Sequence, residues 1–342
     1  MTSRDIASAA GVSQATVSNV LNRPDLVTAA TTERVRAVMD ALGFVVNDSA
    51  RTLRGGRSRT LGVVTLDLSN PFWGEVTRGI ESVATEVGYS VLVGASEERA
   101  DKELQLLRLY EEHRVGGVLV SSVDSKSPAI RGLFERGTQV ILLDEYDDAQ
   151  RYSSVSFDEV QAAKMVGQHL LDRGHTRIAF LNGPHSAPWC LARMQGLRQG
   201  VQLSGADPDQ IIAEITIDTM TAQAAELAVE RLLAAFPRPS AVFCANDMVA
   251  IGLLKELSRL GLRVPADFSV VGFDDSYFAA LLSPALTTIR QLPFDMGRKA
   301  AELAVRDSPP LEPVSVVFEP QLIERESVLD LTARAHHRLS KS

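Results

Sequence analysis

Cysteine is scarce in this chain, and long apolar runs are absent from it. The 342 residues include two cysteines, Cys190 and Cys244, at no spacing typical of a metal or redox site. A secreted disulfide scaffold needs more cysteines, so we expect both to be buried thiols. No apolar run approaches the ~18 residues of a membrane helix, and the first twenty residues lack the apolar core of a signal peptide. The sequence therefore predicts a cytoplasmic protein.

The short motifs of common enzyme classes are also missing. The chain has no Walker-A loop, no Gly-x-Ser-x-Gly nucleophile elbow and no His-Glu-x-x-His zinc motif. Its six histidines do not cluster, and two of them, His336 and His337, lie in the tail. These absences weaken an enzymatic interpretation, and we expect no metal and no cofactor.

Charge is unevenly distributed along the chain. The formal net charge is −8, but residues 1–59 contain eight arginines and five acidic residues, a net charge of +3. Residues 60–342 therefore carry −11, because 27 basic and 38 acidic residues remain. A small basic head on a large acidic body is typical of a DNA-binding module joined to a regulatory domain. An arginine-rich, solvated linker would give the same pattern.

The first 45 residues predict three short helices around one small core. The first follows Thr2, which can cap it together with Asp5, and ends at Gly11. The third runs from about Ala29 to Ala41 behind Thr28. The second starts near Ser13 and has apolar residues at helical spacing on one side. Its other side carries small and amide side chains: Gln14, Ala15, Ser18, Asn19 and Asn22.

The Gly11–Asn22 segment, which also contains Thr16, is typical of a helix-turn-helix. A glycine turn precedes a helix that has one packed side and one polar, uncharged side. Such a helix fits the major groove of DNA, where amides pair with adenine. An ordinary amphipathic helix would show the same periodicity.

A short helix at most is expected over 47–56, too short to be stable on its own. From Leu61 onward, short apolar strands alternate with helical stretches, as in repeated βαβ units. The rhythm restarts at Arg177, so we predict two α/β lobes with parallel sheets, between which the chain crosses more than once. The expected segments are a head (1–46), a hinge helix and linker (47–59), a first lobe (60–157 and 289–320), a second lobe (158–288 and 321–331) and a tail (332–342).

Ligands of α/β lobes bind at the carboxyl ends of strands, here in the crevice between the lobes. Five residues with suitable chemistry follow predicted strands: Phe72, Trp73, Asp144, Asn246 and Asp274. Carboxylates that bind vicinal hydroxyls, together with aromatic faces against C–H surfaces, suit a sugar or a nucleoside. Core packing is the alternative for the aromatic residues, and a loop cap is the alternative for Asp274.

Several segments of the sequence closely resemble those of the lactose/galactose-repressor (LacI/GalR) family of bacterial regulators. They occur in the same order as in the family and extend over nearly the whole chain. They include Asp5-Ile6-Ala7, the Gly11–Asn22 segment, Val27-Thr28, Glu33-Arg34-Val35, Ser69-Asn70-Pro71-Phe72, Arg173-Gly174-His175, Asn246-Asp247, the stretch from Val264 to Asp275 and the stretch from Pro284 to Ile289. The resemblance implies a helix-turn-helix head, a hinge helix and a two-lobed body like that of periplasmic binding proteins.

The resemblance also implies roles for individual residues. Phosphate and groove contacts are implied for Thr2, Ser13, Ser18, Asn22, Thr28, Thr31 and Asn47, and base reading for Gln14, Ala15 and Asn19. Leu53 corresponds to the family's minor-groove wedge, although packing against a second hinge would also explain it. Arg193 and Asp274 match effector contacts, and Trp189 lies where the effector is commonly touched.

Two residues depart from the family pattern. Asn19 stands where many members carry arginine, so adenine is favoured over guanine there. Val46 stands where a proline is usual, so we expect a looser entry to the hinge helix.

These features together predict a homodimeric, sequence-specific repressor that reads a pseudo-palindromic operator, and the family resemblance implies a central CG step in that operator. A sugar, a sugar derivative or a nucleoside bound between the lobes would control it allosterically. A periplasmic sugar-binding protein, an enzyme acting on sugars or nucleotides, and an architectural DNA-binding protein are the alternatives.

Overall fold

The computed structural model describes residues 2–44, 58–124, 126–145, 151–235, 237–306 and 312–332. Two compact units are present, one up to residue 58 and the other from residue 59 onward. We call the first unit the head and the second the body, and each is described by itself.

The head is a three-helix unit, as the sequence predicts. Its helices are α1 (Ser3–Ala10), α2 (Gln14–Asn22) and α3 (Ala29–Ala41), with a 3₁₀ turn at Pro24–Leu26. The side chains of Ile6, Val17 and Val35 are completely buried and form the centre of its core. Gly11 follows α1 with a φ of 62°, a left-handed conformation that favours glycine and turns the chain into α2.

The body contains two sheets of six strands each among the described residues. The strands are β1 (Thr60–Thr65), β2 (Ser90–Ala95), β3 (Gly117–Val120), β4 (Gln139–Leu143), β5 (Ser153–Phe157), β6 (Ile178–Asn182), β7 (Ile212–Thr216), β8 (Ala241–Cys244), β9 (Ser269–Asp274), β10 (Thr287–Arg290), β11 (Ser315–Phe318) and β12 (Gln321–Ile323). The first sheet has the order β11-β5-β4-β3-β1-β2 and is parallel throughout. The second has the order β12-β10-β9-β8-β6-β7, in which β12 alone is antiparallel.

Helices cover both sheets, and the inner strands are consequently buried on both faces and read as continuous apolar runs. The helices of the body are α4 (Pro71–Glu86), α5 (Ala100–Glu112), α6 (Pro128–Glu135), α7 (Glu159–Asp172), α8 (Pro188–Leu203), α9 (Pro208–Ile211), α10 (Ala222–Ala234), α11 (Asp247–Arg259) and α12 (Pro293–Ala304). The two α/β lobes with parallel sheets that the strand rhythm predicts are therefore confirmed. None of the helices among the described residues is long and apolar enough to span a membrane.

The chain crosses between the lobes between β5 and α7, between β10 and α12, and between β11 and β12. Strand β10 belongs to the second sheet as far as Arg290, so the expected crossing at residue 289 falls inside that strand.

Strands β5 and β12 were not predicted. The sequence of β5 is rich in serine, yet Ser153 and Ser154 are buried. Their hydroxyls are satisfied, because Ser153 Oγ accepts from the backbone N–H of Val314 at 3.0 Å and Ser154 Oγ lies 3.1 Å from Ser315 Oγ. Hydrogen bonds to residues much later in the chain thus allow this polar segment to be buried as a strand of the sheet.

Glycines allow pairs of helices in the body to pack closely. A methyl group added at Gly196 of α8 would overlap the carbonyl oxygen of Val160 in α7. The same holds between Gly252 of α11 and the carbonyl oxygen of Ala222 in α10. These contacts fix the spacing of the helices that frame the second lobe.

Candidate DNA-binding helix and effector cleft

Helix α2 presents its first turn to solvent. Gln14 and Ala15 are exposed, whereas Val17 and Val20 are buried in the core of the head. Asn19 lies one turn further along the helix and is half-buried. Recognition helices approach base edges with residues of their first turns, so this geometry suits direct reading of DNA.

Hydroxyl side chains cap the helices of the head. Ser13 Oγ accepts a hydrogen bond from the backbone N–H of Thr16 at 3.0 Å, at the start of α2. Thr28 Oγ1 accepts from the backbone N–H of Thr31 at 3.4 Å, at the start of α3. Thr2 caps α1, and its backbone N–H and its hydroxyl both donate to the carboxylate of Asp5 in the first turn. These exposed helix starts offer backbone N–H groups and hydroxyls of the kind that hold phosphate.

The remaining candidate DNA contacts lie on α2 or outside the described residues. Ser18 is half-buried on α2, and Asn22 is the last residue of that helix. Asn47 and Leu53 lie outside the described residues.

Strand ends of both lobes supply the cleft residues. Asp144 directly follows β4 of the first lobe, and Asp274 ends β9 of the second. Both have positive φ angles, 56° for Asp144 and 112° for Asp274, which are rare for residues other than glycine. Strained backbone at the ends of strands is common where side chains serve a ligand.

Arg193, on α8, is held by an almost fully buried ion pair. Its Nε and Nη2 donate to the two carboxylate oxygens of Glu159 at 2.6 and 2.9 Å. Its Nη1 donates to the carbonyl oxygen of Ala245 at 2.5 Å, and its guanidinium lies over the ring of Phe273 at 3.7 Å from the centroid. Burial opposes the charge of Arg193, but the Glu159 carboxylate keeps its pKa above the ordinary value.

The carboxylates of the cleft are perturbed by burial and by one another. Burial raises the pKa of Asp274 to about 7, although Arg193 and the amide of Gln291 favour its ionised form. Burial also raises the pKa of Asp144, and the neighbouring charge of Glu159 adds to this rise. Carboxyl groups with raised pKa values in a cleft are typical of a functional site.

The remaining effector candidates are partly engaged in packing. Asn246 caps α11, where its Oδ1 accepts from the backbone N–H of Val249 at 2.8 Å and its Nδ2 donates to the carbonyl oxygen of Met220 at 3.2 Å. Phe72 and Trp73 are buried and meet edge to face at 5.0 Å. Trp189, at the start of α8, is only partly buried.

Sequence reasoning missed Glu159 and Gln291. Glu159 is the first residue of α7 and holds Arg193, and Gln291 donates to Asp274 Oδ1 at 2.9 Å. Both residues lie at crossings between the lobes, which is a topological signal and not a motif. Among the described residues, no cluster of three or more histidine, cysteine, aspartate or glutamate side chains is placed to hold a metal ion.

Two protein-family models match separate parts of the chain. Residues 2–47 match the family described as bacterial regulatory proteins, lacI family, and residues 167–328 match a periplasmic binding protein-like domain.

Individual proteins match over almost the whole chain. An HTH-type transcriptional repressor PurR of Vibrio atlanticus (strain LGP32) is 30% identical over 335 residues, which cover 96% of this chain and 99% of the relative. A lac repressor dimer bound to operator and the anti-inducer ONPF has 29% identity and a TM-score of 0.83, with 96% and 99% of the two chains covered. A complex of the transcriptional regulator CelR with cellobiose has 29% identity, a TM-score of 0.71 and the same coverage.

Proposed function

The chain belongs to the LacI family of bacterial regulatory proteins and is a DNA-binding transcriptional repressor, and we propose that a small polar effector between its lobes controls its affinity for an operator. The effector is a sugar or a sugar derivative. Members of this family are transcriptional regulators and not enzymes. The observation that carries the DNA-binding function is the exposed first turn of α2, where Gln14 and Ala15 are accessible to a DNA groove.

Base reading falls to Gln14, Ala15 and Asn19. The amide groups of Gln14 and Asn19 can donate to N7 and accept from N6 of adenine, so adenine is favoured at the positions they face. Thr16, which packs against the cap of α2, and the hydroxyls at the helix starts position the head on phosphates. Asn47 and the wedge Leu53 are assigned by resemblance alone.

The effector lies between Asp144 of the first lobe and Asp274 of the second. Arg193 lies close enough to both carboxylates to favour their ionised forms. Asn246, at the start of α11, and Trp189, at the start of α8, are further proposed contacts of the effector. Closure of the lobes on a ligand brings the strand ends of the two sheets together. The cellobiose complex of a similar regulator supports a carbohydrate as the class of ligand.

A dimer is the form that binds DNA. Three large apolar side chains of the second lobe are exposed, Leu227 by 75%, Tyr277 by 78% and Leu281 by 77%. Such exposure favours burial against a partner, and a second copy is the partner that a two-fold operator requires. Movement of the lobes in each copy changes the spacing of the two hinges, residues 47–59. Operator and effector affinity are then coupled, each affecting the other by the same factor.

The experiment is selection of bound sites from a random duplex DNA pool with the full chain. We expect enrichment of a pseudo-palindrome with a central CG step. The Gln14→Ala variant should retain the two-fold symmetry but lose preference at one position in each half-site. If no sequence is enriched, either alone or with pooled metabolites added, the DNA-reading assignment is wrong.

A further inference from the structure

Several carboxylates of the effector cleft lie near Arg193, which forms an ion pair with Glu159. The charge of Glu159 raises the pKa of both Asp144 and Asp274, the charge of Asp274 also raises that of Asp144, and Arg193 opposes these shifts. Glu145, next to Asp144, adds further negative charge. The balance of charge around the ligand position is therefore negative when these groups are ionised.

Arg193 cannot neutralise all of these carboxylates. Both oxygens of Glu159 accept from it, and its third nitrogen is taken by the carbonyl oxygen of Ala245. The Glu159 carboxylate thus balances the charge of Arg193 within the pair. Among the described residues Asp144 and Asp274 make no ion pair of their own, although the nearby charge of Arg193 favours the ionised form of both.

Asp144 and Asp274 each have one buried carboxylate oxygen without a hydrogen-bond partner among the described residues. These oxygens are Oδ1 of Asp144 and Oδ2 of Asp274. Asp274 is 7% exposed, so water cannot readily satisfy its free oxygen. The amides of Gln291 and Asn70 favour the ionised form of Asp274. A buried carboxylate oxygen that lacks a donor is costly, and a ligand that supplies an N–H group there removes this cost.

Negative charge continues to the rim of the cleft. Glu98, which follows β2, is partly buried, and both burial and the carboxylate of Asp67 raise its pKa. Glu98 also acts on the thiol of Cys190 in the first turn of α8, so it faces the second lobe. An approaching anion meets like charge at the rim before it reaches Asp144 and Asp274.

We propose that the effector is an amino sugar, whose protonated amine binds between Asp144 and Asp274. This inference rests on the proposed function of the cleft and specifies its ligand. The ammonium group donates to the two free carboxylate oxygens and supplies the missing positive charge. A phosphorylated or carboxylated sugar places a second anion among these groups and is rejected.

Proton release accompanies the binding of such a ligand. A cation beside Asp144 and Asp274 favours their ionised forms and lowers their raised pKa values. Near neutral pH the carboxyl groups therefore lose protons to the buffer when the amine binds. A neutral sugar in the same place brings no positive charge and lowers these pKa values less.

The test is calorimetric titration of the full chain with matched ligands. The panel consists of glucosamine, galactosamine and mannosamine, their parent hexoses, and the corresponding hexose phosphates. We expect at least one amine to bind about tenfold to a hundredfold more tightly than its parent, the range of one charge-assisted hydrogen bond. Its binding enthalpy should also differ between buffers of different ionisation enthalpy. If no amine binds, or if a parent sugar or a phosphate binds more tightly, the proposal is wrong.

A pair of variants identifies the carboxylate involved. Asp144→Asn removes one charge with little change in shape and should abolish the preference for the amine over its parent. Glu230→Gln removes one charge from the exposed face of α10 and should keep that preference. Equal preference in both variants would overturn the assignment. Site selection on DNA does not depend on this ligand, so failure of the amino sugar leaves the repressor function tested separately.

Discussion

Replacing Asp274 by asparagine should stabilise the body of the protein at alkaline pH. The carboxyl group of Asp274 has a pKa of about 7 in the folded chain, against an ordinary value of 3.8. The folded state therefore binds this proton more tightly than the unfolded state does. The stability that the bound proton contributes is complete below pH 4 and is lost as the pH rises through 7.

The difference in pKa sets the size of the effect. At about pH 8 the ionised Asp274 carboxylate costs the folded state on the order of 4 kcal/mol, and at about pH 4 it costs almost nothing. Asparagine has no charge to bury and can still accept the hydrogen bond from Gln291. We therefore expect Asp274→Asn to gain several kcal/mol at alkaline pH and little at acid pH.

Urea unfolding followed by tryptophan fluorescence measures this difference. The two tryptophans, Trp73 and Trp189, both lie in the body, so the signal does not report on the head. Protein concentration must be held constant, because association also stabilises the folded state. Asp218→Asn, at an exposed position, is the matched control and should leave stability unchanged at both pH values.

A loss of stability in Asp274→Asn of equal size at acid and alkaline pH would refute this reasoning. The same variant should lose its response to effector, because the ligand then lacks a carboxylate on the second lobe. Gain of stability with loss of function is the pattern of a site that is strained for its ligand.

Further outcomes test the head, the packing and the hinge. Gln14→Ala should weaken operator binding by about 1–3 kcal/mol but leave the salt dependence unchanged, as measured by fluorescence anisotropy. Gly196→Ala should destabilise the body by about 1–3 kcal/mol in urea unfolding, because its methyl group meets the carbonyl oxygen of Val160, and equal stability would contradict the close packing of α7 and α8. Gly74→Ala in α4 is its control and should be neutral or stabilising, because nothing lies within 4 Å of the added group. Leu53→Ala should weaken operator binding but not effector binding, and unchanged operator affinity would exclude the wedge.

Sequence reasoning succeeded where the determinants are local. Helices α2 and α3 begin directly after Ser13 and Thr28, whose hydroxyls cap them, and α1 ends where Gly11 adopts a left-handed conformation. Each signal lies within a few residues of the boundary that it determines. Inner strands such as β4 were equally clear, because strands buried on both faces are continuously apolar.

Features that depend on contacts between residues far apart in sequence could not be predicted from the sequence. Ser153 and Ser154 look like loop residues until β11 pairs with β5 and satisfies their hydroxyls. In the same way, nothing near Arg193 in the sequence indicates that Glu159, 34 residues earlier, accepts hydrogen bonds from its Nε and Nη2 through both carboxylate oxygens. Resemblance identified Arg193 as a ligand residue, but only the three-dimensional structure shows how little of its charge is left for a ligand.

The interleaving of the two lobes bears on how the protein is made. A ribosome releases β1–β5 first, yet the edge strand that completes their sheet, β11, follows the main part of the second lobe. Gln139 of β4 likewise waits for the carbonyl oxygen of Leu303 to complete its hydrogen bond. The second sheet is also incomplete until β12 emerges. Neither sheet can be completed before β11 and β12 have been synthesised, so a nascent chain stalled before Ser315 holds two unfinished sheets and is a target for chaperones.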